Sequence, residues 1–330
     1  MAQRMIGERQ RWAWLAAGFS AVAAAGACGL GWLWVLLGSG IPALYYIYMD
    51  SKLTAASGAQ LLSDNLGWFG RILAAGILLW TMLLLGWTAN LADAAFPMVE
   101  GFPVLGLVML TLTAWSSTKG PAACARCAGV LCLFLAVLYG LVAAFAVPDV
   151  KLRFLLPQQP WENSLWAAGL FLLPAAVWFV PCRCRQKRPA GKLLVLLPCG
   201  AAVLALITDG VLSPQLAQQQ TAPLYAVAQS VSIFGVLERI EPLVSAAITM
   251  GVFCLLSSMA CACTALGNQL AEYDHWSTMS CVIGALLLWP ATKLGIEVIT
   301  AGTVVCYLMF PLTAAAVGKI KEKMPRRSSF

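Results

Sequence analysis

The amino-acid sequence predicts an all-α polytopic membrane protein with about ten transmembrane helices. Hydrophobic residues make up 61% of its 330 residues and charged residues only 11%, whereas about a quarter of a soluble domain is normally charged. A helix needs roughly 20 mainly apolar residues to cross the hydrocarbon core, and its backbone groups must be satisfied within the segment. We therefore expect a single integral membrane domain over residues 1–330, made of helices joined by short loops.

The apolar runs set the positions of the predicted spans. Trp12 to Met49 form one apolar run that is too long for a single tilted helix, and Gly26, Gly29 and Gly31 provide a place for the chain to reverse. The predicted spans cover residues 12–28, 31–49, 68–96, 102–117, 127–147, 162–181, 193–212, 237–263, 277–292 and 296–317.

The basic residues predict the orientation. With the N-terminus in the cytoplasm, most Lys and Arg residues fall in cytoplasmic segments, including the run from Arg183 to Lys192 and the tail from Lys319. The opposite side then holds only Lys151, Arg153, Arg239 and Lys293. An even number of spans keeps the basic tail inside, so both termini are predicted to be cytoplasmic. The net charge of +7 is explained by basic loops that face anionic membrane lipid, with no nucleic acid partner.

Ten spans divide into two five-helix halves, about residues 1–150 and 151–330. Ala16-Ala17-Gly18-Phe19 in the first span is echoed by Ala167-Ala168-Gly169-Leu170 in the sixth. The sixth span also contains Pro174, and the first also contains Gly26. Transporters built from inverted repeats place their sites where such helices are interrupted, because the freed backbone groups bind a zwitterion or an ion. Small residues also allow helices to pack closely. The sequence leaves both interpretations open.

Polar residues within the spans are costly and therefore informative. Ser245 and Thr249 are one helical turn apart in the eighth span, where they either line a cavity or bond back to helix carbonyls. Ser257 and Ser258 lie deeper and either coordinate an ion or pack against a neighbour. Asp93, late in the third span, either emerges at the interface or takes part in ion coupling.

An unusual charged motif, Glu238-Arg239-Ile240-Glu241 followed by Pro242, opens the eighth span. Glu238 and Glu241 project from one face near the helix N-terminus, where the helix dipole favours carboxylates. The motif is either an interfacial cap with a local ion pair or a docking or gating contact with a partner.

Cysteine and histidine placement gives no clear catalytic or metal centre. Cys124 with Cys127, and Cys182 with Cys184, form short pairs in basic loops, where the alternatives are a zinc or redox site and reduced thiols. The single histidine, His275, cannot complete a second ligand set. We therefore predict neither an enzyme nor a bound cofactor.

Several motifs together resemble the permease-like B subunits of spore germinant receptors (GerAB-like), within the amino acid–polyamine–organocation superfamily. The strongest is the Glu238-Arg239-Ile240-Glu241 run, preceded by Pro223 and Phe234. The Trp that family members show soon after this run is absent here, where Ile248 stands. The other matches, in chain order, are Leu66-Gly67-Trp68-Phe69-Gly70, the segment from Gly120 to Arg126, and Leu155-Leu156-Pro157.

The resemblance implies a leucine-transporter-like fold, a 5+5 inverted repeat in which the first and sixth helices unwind around a small nutrient such as an amino acid. It also implies residence in the spore inner membrane beside the receptor's A and C subunits. The ligand contacts that it implies, by position in the repeat, are Gly18, Phe19 and Ser20 with Gly169, Phe171 and Pro174. To these we add Ser245 and Thr249 as candidate ligand contacts, and Glu238, Arg239 and Glu241 as a partner or gating contact.

The main alternative is an active amino-acid permease. Proton-coupled relatives in the superfamily often carry a Lys in the fifth span, and residues 127–147 contain none. A sodium-coupled relative would need hydroxyls on the eighth span, which Ser257 and Ser258 supply. The missing Lys favours a receptor subunit over a proton symporter.

Overall fold

The computed structural model describes residues 5–52, 57–94, 103–156, 159–183, 191–220, 222–230, 241–273 and 275–323, and these form helices apart from one short strand pair. Strand β1 (Ile6–Gly7) pairs in parallel with β2 (Cys182–Arg183). The α-helices are α1 (Glu8–Val22), α2 (Trp32–Lys52), α3 (Gly58–Leu66), α4 (Trp68–Ala94), α5 (Val104–Ser117), α6 (Pro121–Ala146), α7 (Asn163–Leu170), α8 (Gly191–Leu212), α9 (Pro214–Gln219), α10 (Pro223–Ser230), α11 (Glu241–Leu270), α12 (Trp276–Thr292), α13 (Ile296–Thr303) and α14 (Phe310–Lys323).

The number of spans agrees with the sequence prediction. Among the described residues, seven helical stretches are long and apolar enough to cross a membrane, and three shorter apolar ones accompany them, over Val104–Ser117, Asn163–Phe179 and Trp276–Thr292. They correspond in order to the ten predicted spans, so the all-α polytopic fold class is confirmed. The first two spans are separated at Gly31, whose φ of +90° is a conformation that favours glycine.

The first and eighth spans lie at the centre of the bundle, since most of their residues are buried, whereas the fifth span exposes most of its length. Helix α1 packs against α6 and α11, while α2 packs against α7 and α8. Helix α4 lies against α11 and α12. The segment from Leu173 to Phe179, which completes the sixth span, is fully buried and contacts both α1 and α11. The first, sixth and eighth spans therefore surround the middle of the molecule.

Candidate functional site

The sixth span breaks in the middle. Helix α7 ends at Leu170, and the chain continues as a 3-10 helix over Leu173–Phe179. In a continuous α-helix the Ala175 amide would donate to the Phe171 carbonyl. Here it donates to the Leu172 carbonyl instead, at 2.9 Å. The Phe171 carbonyl accepts a hydrogen bond from the Tyr46 hydroxyl of α2 at 2.5 Å, so a side chain from another span satisfies the group that the break releases.

The first span departs from α geometry after the residues that were predicted to contact the ligand. Gly18, Phe19 and Ser20 lie in the regular helix α1, and the backbone departs from α geometry only later, as a π-helix over Ala23–Ala27 and a 3-10 turn over Cys28–Leu30. This irregular segment includes Gly26, the residue that the sequence offered as the interruption of the first span, and Gly18, Phe19 and Ser20 precede it. A Cβ on Gly18 would lie 3.2 Å from the Pro174 Cβ and 3.3 Å from the Leu255 Cδ1, so this glycine permits close packing rather than a break.

The first and sixth spans meet at two aromatic rings. Phe19 and Phe171 stack with their ring centroids 4.3 Å apart and their planes 29° from parallel, and both side chains are buried. Gly18 packs on Pro174 beside them. The structure thus brings four of the predicted ligand residues to one contact at the break, and we call this set, Gly18, Phe19, Phe171 and Pro174, the central contact. A solute can occupy this position only after one of the rings moves.

Gly169 lies outside the central contact. A Cβ placed on it would lie 2.3 Å from the Thr300 Cβ of α13, so its bare backbone faces the tenth span and not the first. Gly18 and Gly169 were paired because each ends an Ala-Ala-Gly triplet. In the structure, however, the two glycines pack against different helices. A larger residue at position 169 would push against α13 rather than fill a cavity between the first and sixth spans.

The hydroxyl groups singled out by the sequence bond to their own helices. Ser20 donates to the Ala17 carbonyl at 2.9 Å, and Thr249 donates to the Ser245 carbonyl at 2.7 Å. In the deeper pair, Ser257 donates to the Cys254 carbonyl and Ser258 to the Leu255 carbonyl. Because α11 faces α1 through Gly251, whose Cβ would lie 2.8 Å from the Ala21 Cβ, Thr249 lies roughly on the opposite side of α11.

The end of the bundle that carries the N-terminus is closed by a buried arginine that sequence reasoning used only for orientation. The Arg11 guanidinium, in a side chain only 2% exposed, lies 2.5 Å from the Asp50 carboxylate and 4.3 Å from the centroid of the Trp178 ring. The Ile6 amide donates to the Pro181 carbonyl, which brings β1 onto β2. Three segments that are distant in sequence therefore meet here, and no local sequence pattern predicts this contact.

The other end of the bundle is held by side chains that bond to main-chain groups. The buried Asp209 carboxylate accepts from the Trp32 amide at 2.9 Å and so caps α2 from another span. Gln159 donates to the carbonyls of Gly29 and Pro214, and Asn163 donates to the Leu30 carbonyl. These bonds tie the end of the first span to the starts of the second and sixth spans.

The remaining predicted groups are placed as follows. Glu241 is the first residue of α11, while Glu238 and Arg239 lie outside the described residues. Asp93 accepts from the Leu105 and Gly106 amides at 3.0 and 2.9 Å, so it caps α5 instead of simply emerging at an interface. Among the described residues, no three His, Cys, Asp or Glu side chains converge as a metal site.

The architecture, more than the sequence, connects this chain to known proteins. No protein-family model matches it, and no curated protein matches it by sequence. Its fold is similar to that of a Na⁺-coupled sialic acid symporter in the substrate-bound, outward-open state, with a TM-score of 0.62 over 94% of this chain and 78% of the symporter chain, at 13% identity. The chain is thus an integral membrane protein with the leucine-transporter-like fold that the sequence predicted.

Proposed function

We propose that this chain is the germinant-sensing, permease-like B subunit of a spore germinant receptor, which binds a small nutrient such as an amino acid at the central contact. The observation that carries the proposal is the broken sixth span, whose Phe171 carbonyl is buried against the first span and held by Tyr46. The Glu238-Arg239-Ile240-Glu241 run supplies the receptor assignment, through its resemblance to the germinant receptor B subunits.

The Phe171 carbonyl provides a polar anchor for the nutrient. An ammonium group that donates to this carbonyl would replace the Tyr46 hydroxyl, and a charge-assisted hydrogen bond is roughly twice as strong as a neutral one. The rings of Phe19 and Phe171 would separate to admit the apolar part of the ligand, which restores the packing that their stack provides in the empty state. Main-chain anchoring of this kind accepts many amino acids, and the rings set the size of the side chain.

Signalling then requires that the nutrient bind one conformation of the bundle more tightly than another. The first and sixth spans touch the ligand directly, and α11 touches the first span through Leu255 and Gly251. A shift of the first span is therefore passed to α11, which begins at Glu241. In the proposal, Glu241 with Glu238 and Arg239 forms the contact through which the A and C subunits read this shift.

A secondary amino-acid transporter is the second candidate, and two observations favour it. The fold is similar to that of a Na⁺-coupled symporter, and Ser257 and Ser258 place two buried hydroxyls on α11. A transporter would use the same central contact but would couple it to an ion and release the solute on the other side of the membrane.

The test compares two tyrosines of α2 that make the same kind of bond. Tyr46→Phe removes the donor at the Phe171 carbonyl, whereas Tyr45→Phe removes a bond of 2.6 Å to the Tyr307 carbonyl. An unsatisfied buried carbonyl costs about 1–3 kcal/mol, and a ligand that satisfies it recovers this free energy. We expect Tyr46→Phe to lower the nutrient concentration for half-maximal germination by about tenfold, and Tyr45→Phe to leave it within twofold.

Spores that carry this chain as their B subunit supply the germination readout, and vesicles reconstituted with the purified protein supply the transport readout. Loss of nutrient response on deletion, with no sodium- or proton-driven uptake of labelled amino acids in vesicles, supports the receptor. Driven uptake that Ser257→Ala and Ser258→Ala abolish would establish the transporter instead. Equal dose–response curves for the two tyrosine variants would show that the ligand does not bind at the Phe171 carbonyl.

A further inference from the structure

A lateral groove of about 280 Å³ lies between α5, α6 and α11. Leu112 and Trp115 of α5, Leu131 of α6, and Met250 and Phe253 of α11 form most of its wall. Leu112 and Trp115 are 46% and 66% exposed, so the groove opens sideways, onto the apolar surface that a bilayer covers. It is separate from the central contact, which lies on the other side of α11.

The described lining of the groove offers few hydrogen-bonding groups to a polar solute. Two hydroxyl residues, Ser116 and Thr249, take part in its wall. Ser116 donates to the Thr113 carbonyl at 3.0 Å, and Thr249 donates to the Ser245 carbonyl at 2.7 Å. With both hydroxyl protons used within their own helices, a sugar or an amino acid would lose most of its hydrogen bonds to water without replacement. A hydrocarbon chain loses nothing on entering.

A positive charge stands at the mouth of the groove. Lys119, in the turn after α5, is exposed, and its Nζ lies 5.6 Å from the centroid of the Trp115 ring. Tryptophan is enriched at the level of the lipid headgroups, and a lysine at that level attracts anionic lipid. An apolar groove that ends at a Trp–Lys pair therefore matches both the hydrocarbon chain and the negatively charged headgroup of a lipid. We propose that the groove binds an acyl chain of an anionic phospholipid whose phosphate contacts Lys119.

The position of the groove connects this lipid to the central contact. Thr249, Met250 and Phe253 share one face of α11, and Gly251 and Leu255 on the opposite face pack against Ala21 and Gly18 of α1. An acyl chain in the groove therefore packs against the face of α11 opposite to the face that contacts the first span. This proposal does not depend on the function of the central contact, since it holds for a receptor and for a transporter alike.

The test uses the purified full-length protein, stripped of lipid in detergent and titrated with phosphatidylglycerol or with phosphatidylcholine of the same acyl chains. Native mass spectrometry gives the affinity for each lipid. We expect Lys119→Gln to weaken phosphatidylglycerol binding about fivefold, which is the value of one lysine near the membrane surface, and to leave phosphatidylcholine unchanged. Leu131→Trp fills the groove and should remove the site for both lipids.

Two matched variants serve as controls. Arg126→Gln removes another exposed basic residue near the start of α6, whose Nε donates to the Ala122 carbonyl. Leu133→Trp enlarges a residue that is 72% exposed and does not line the groove. Both should bind the two lipids as the wild type does.

A photoactivatable phospholipid tests the same site in the unmodified protein, so that a misfolded variant cannot decide the result. Cross-links should concentrate on the residues between Met109 and Leu131 and between Thr249 and Phe253. Equal binding by Leu131→Trp and Leu133→Trp, or cross-links spread evenly over the lipid-facing surface, would overturn the proposal. A groove that a second protein chain covers would also overturn the proposal. In that case the groove residues would stay protected from the photoactivatable phospholipid even after the protein is stripped of lipid.

Discussion

Removing the Asp50 carboxylate tests whether the buried Arg11 holds the N-terminal end of the bundle closed. The Arg11 guanidinium has a carboxylate at 2.5 Å and an aromatic face at 4.3 Å. Removing one partner of a buried ion pair costs about 3–5 kcal/mol, because the other charge stays buried without compensation. Asp50 is 22% exposed, so water can partly replace it. The contact with Trp178 also persists and is worth about 2 kcal/mol when desolvated. We therefore expect Asp50→Ala to cost about 2–3 kcal/mol.

This loss falls on one conformation in particular. Arg11 belongs to the first span, Asp50 ends the second, and Trp178 ends the sixth, so the pair exists only while these three segments stay together. A penalty of about 2 kcal/mol on the closed form shifts a closed-to-open equilibrium by more than tenfold. Cys182 of β2, which is 5% exposed, becomes accessible when β1 and β2 separate.

The assay measures the rate at which a polar maleimide modifies Cys182, read from the labelled peptide by mass spectrometry. Asp50→Ala should raise this rate at least tenfold, and Asp50→Asn, which keeps an acceptor without the charge, should give an intermediate rate. Asp64→Ala is the control, because Asp64 is an exposed carboxylate on α3 near the same end. Equal rates for Asp50→Ala and Asp64→Ala would refute the role of the ion pair in closure.

Three further substitutions test the contacts between spans, with the thermal stability of the purified protein as the measurement. Asp93→Ala leaves the first turn of α5 without its cap and should lower the free energy of unfolding by about 1–2 kcal/mol. Asp209→Ala should lower it by a similar amount through the loss of the α2 cap. The reason is the same for both, because each carboxylate accepts from a main-chain amide of another span. Full stability in either variant would mean that water caps the helix equally well. Gly169→Ala should cost about 1–3 kcal/mol by overpacking against Thr300, whereas Gly76→Ala, with open space around its Cβ, should not destabilise the protein. If these two glycine variants have the same melting temperature, the contact between Gly169 and α13 is not tight.

The sequence was sufficient for the spans, whereas for the sixth span it left a break and close packing both open, and the family resemblance favoured the break. Apolar length defines a span, and Pro174 near Gly169 weakens a helix wherever it occurs. The role of Gly18 could not be predicted from its neighbours in the sequence. A glycine in a helix either permits a break or permits a close neighbour, and the choice is made by Pro174 and Leu255, which lie far along the chain.

The polar contacts were the least predictable part of the structure for the same reason. Tyr46 reaches a carbonyl 125 residues away, and Asp209 caps a helix that begins 177 residues earlier. Neither residue stands in a recognisable motif, since a Tyr or an Asp in an apolar run is compatible with many partners. Such residues are costly to bury, and this cost was the one signal in the sequence that each must have a partner somewhere in the bundle.

The two ends of the bundle are closed by different kinds of contact, which bears on the route that the proposed ligand would take. The N-terminal end is held by a buried ion pair, an aromatic contact and a strand pair. The other end is held by side chain to main chain hydrogen bonds, each worth about 1 kcal/mol net because water can replace it. Opening toward that end exchanges hydrogen bonds for bonds to water, whereas opening the N-terminal end also separates an aromatic contact and a strand pair, so we expect the other end to open first. If the termini are cytoplasmic, as the basic residues predict, that end faces outward and would be the route by which a solute reaches the Phe19–Phe171 stack.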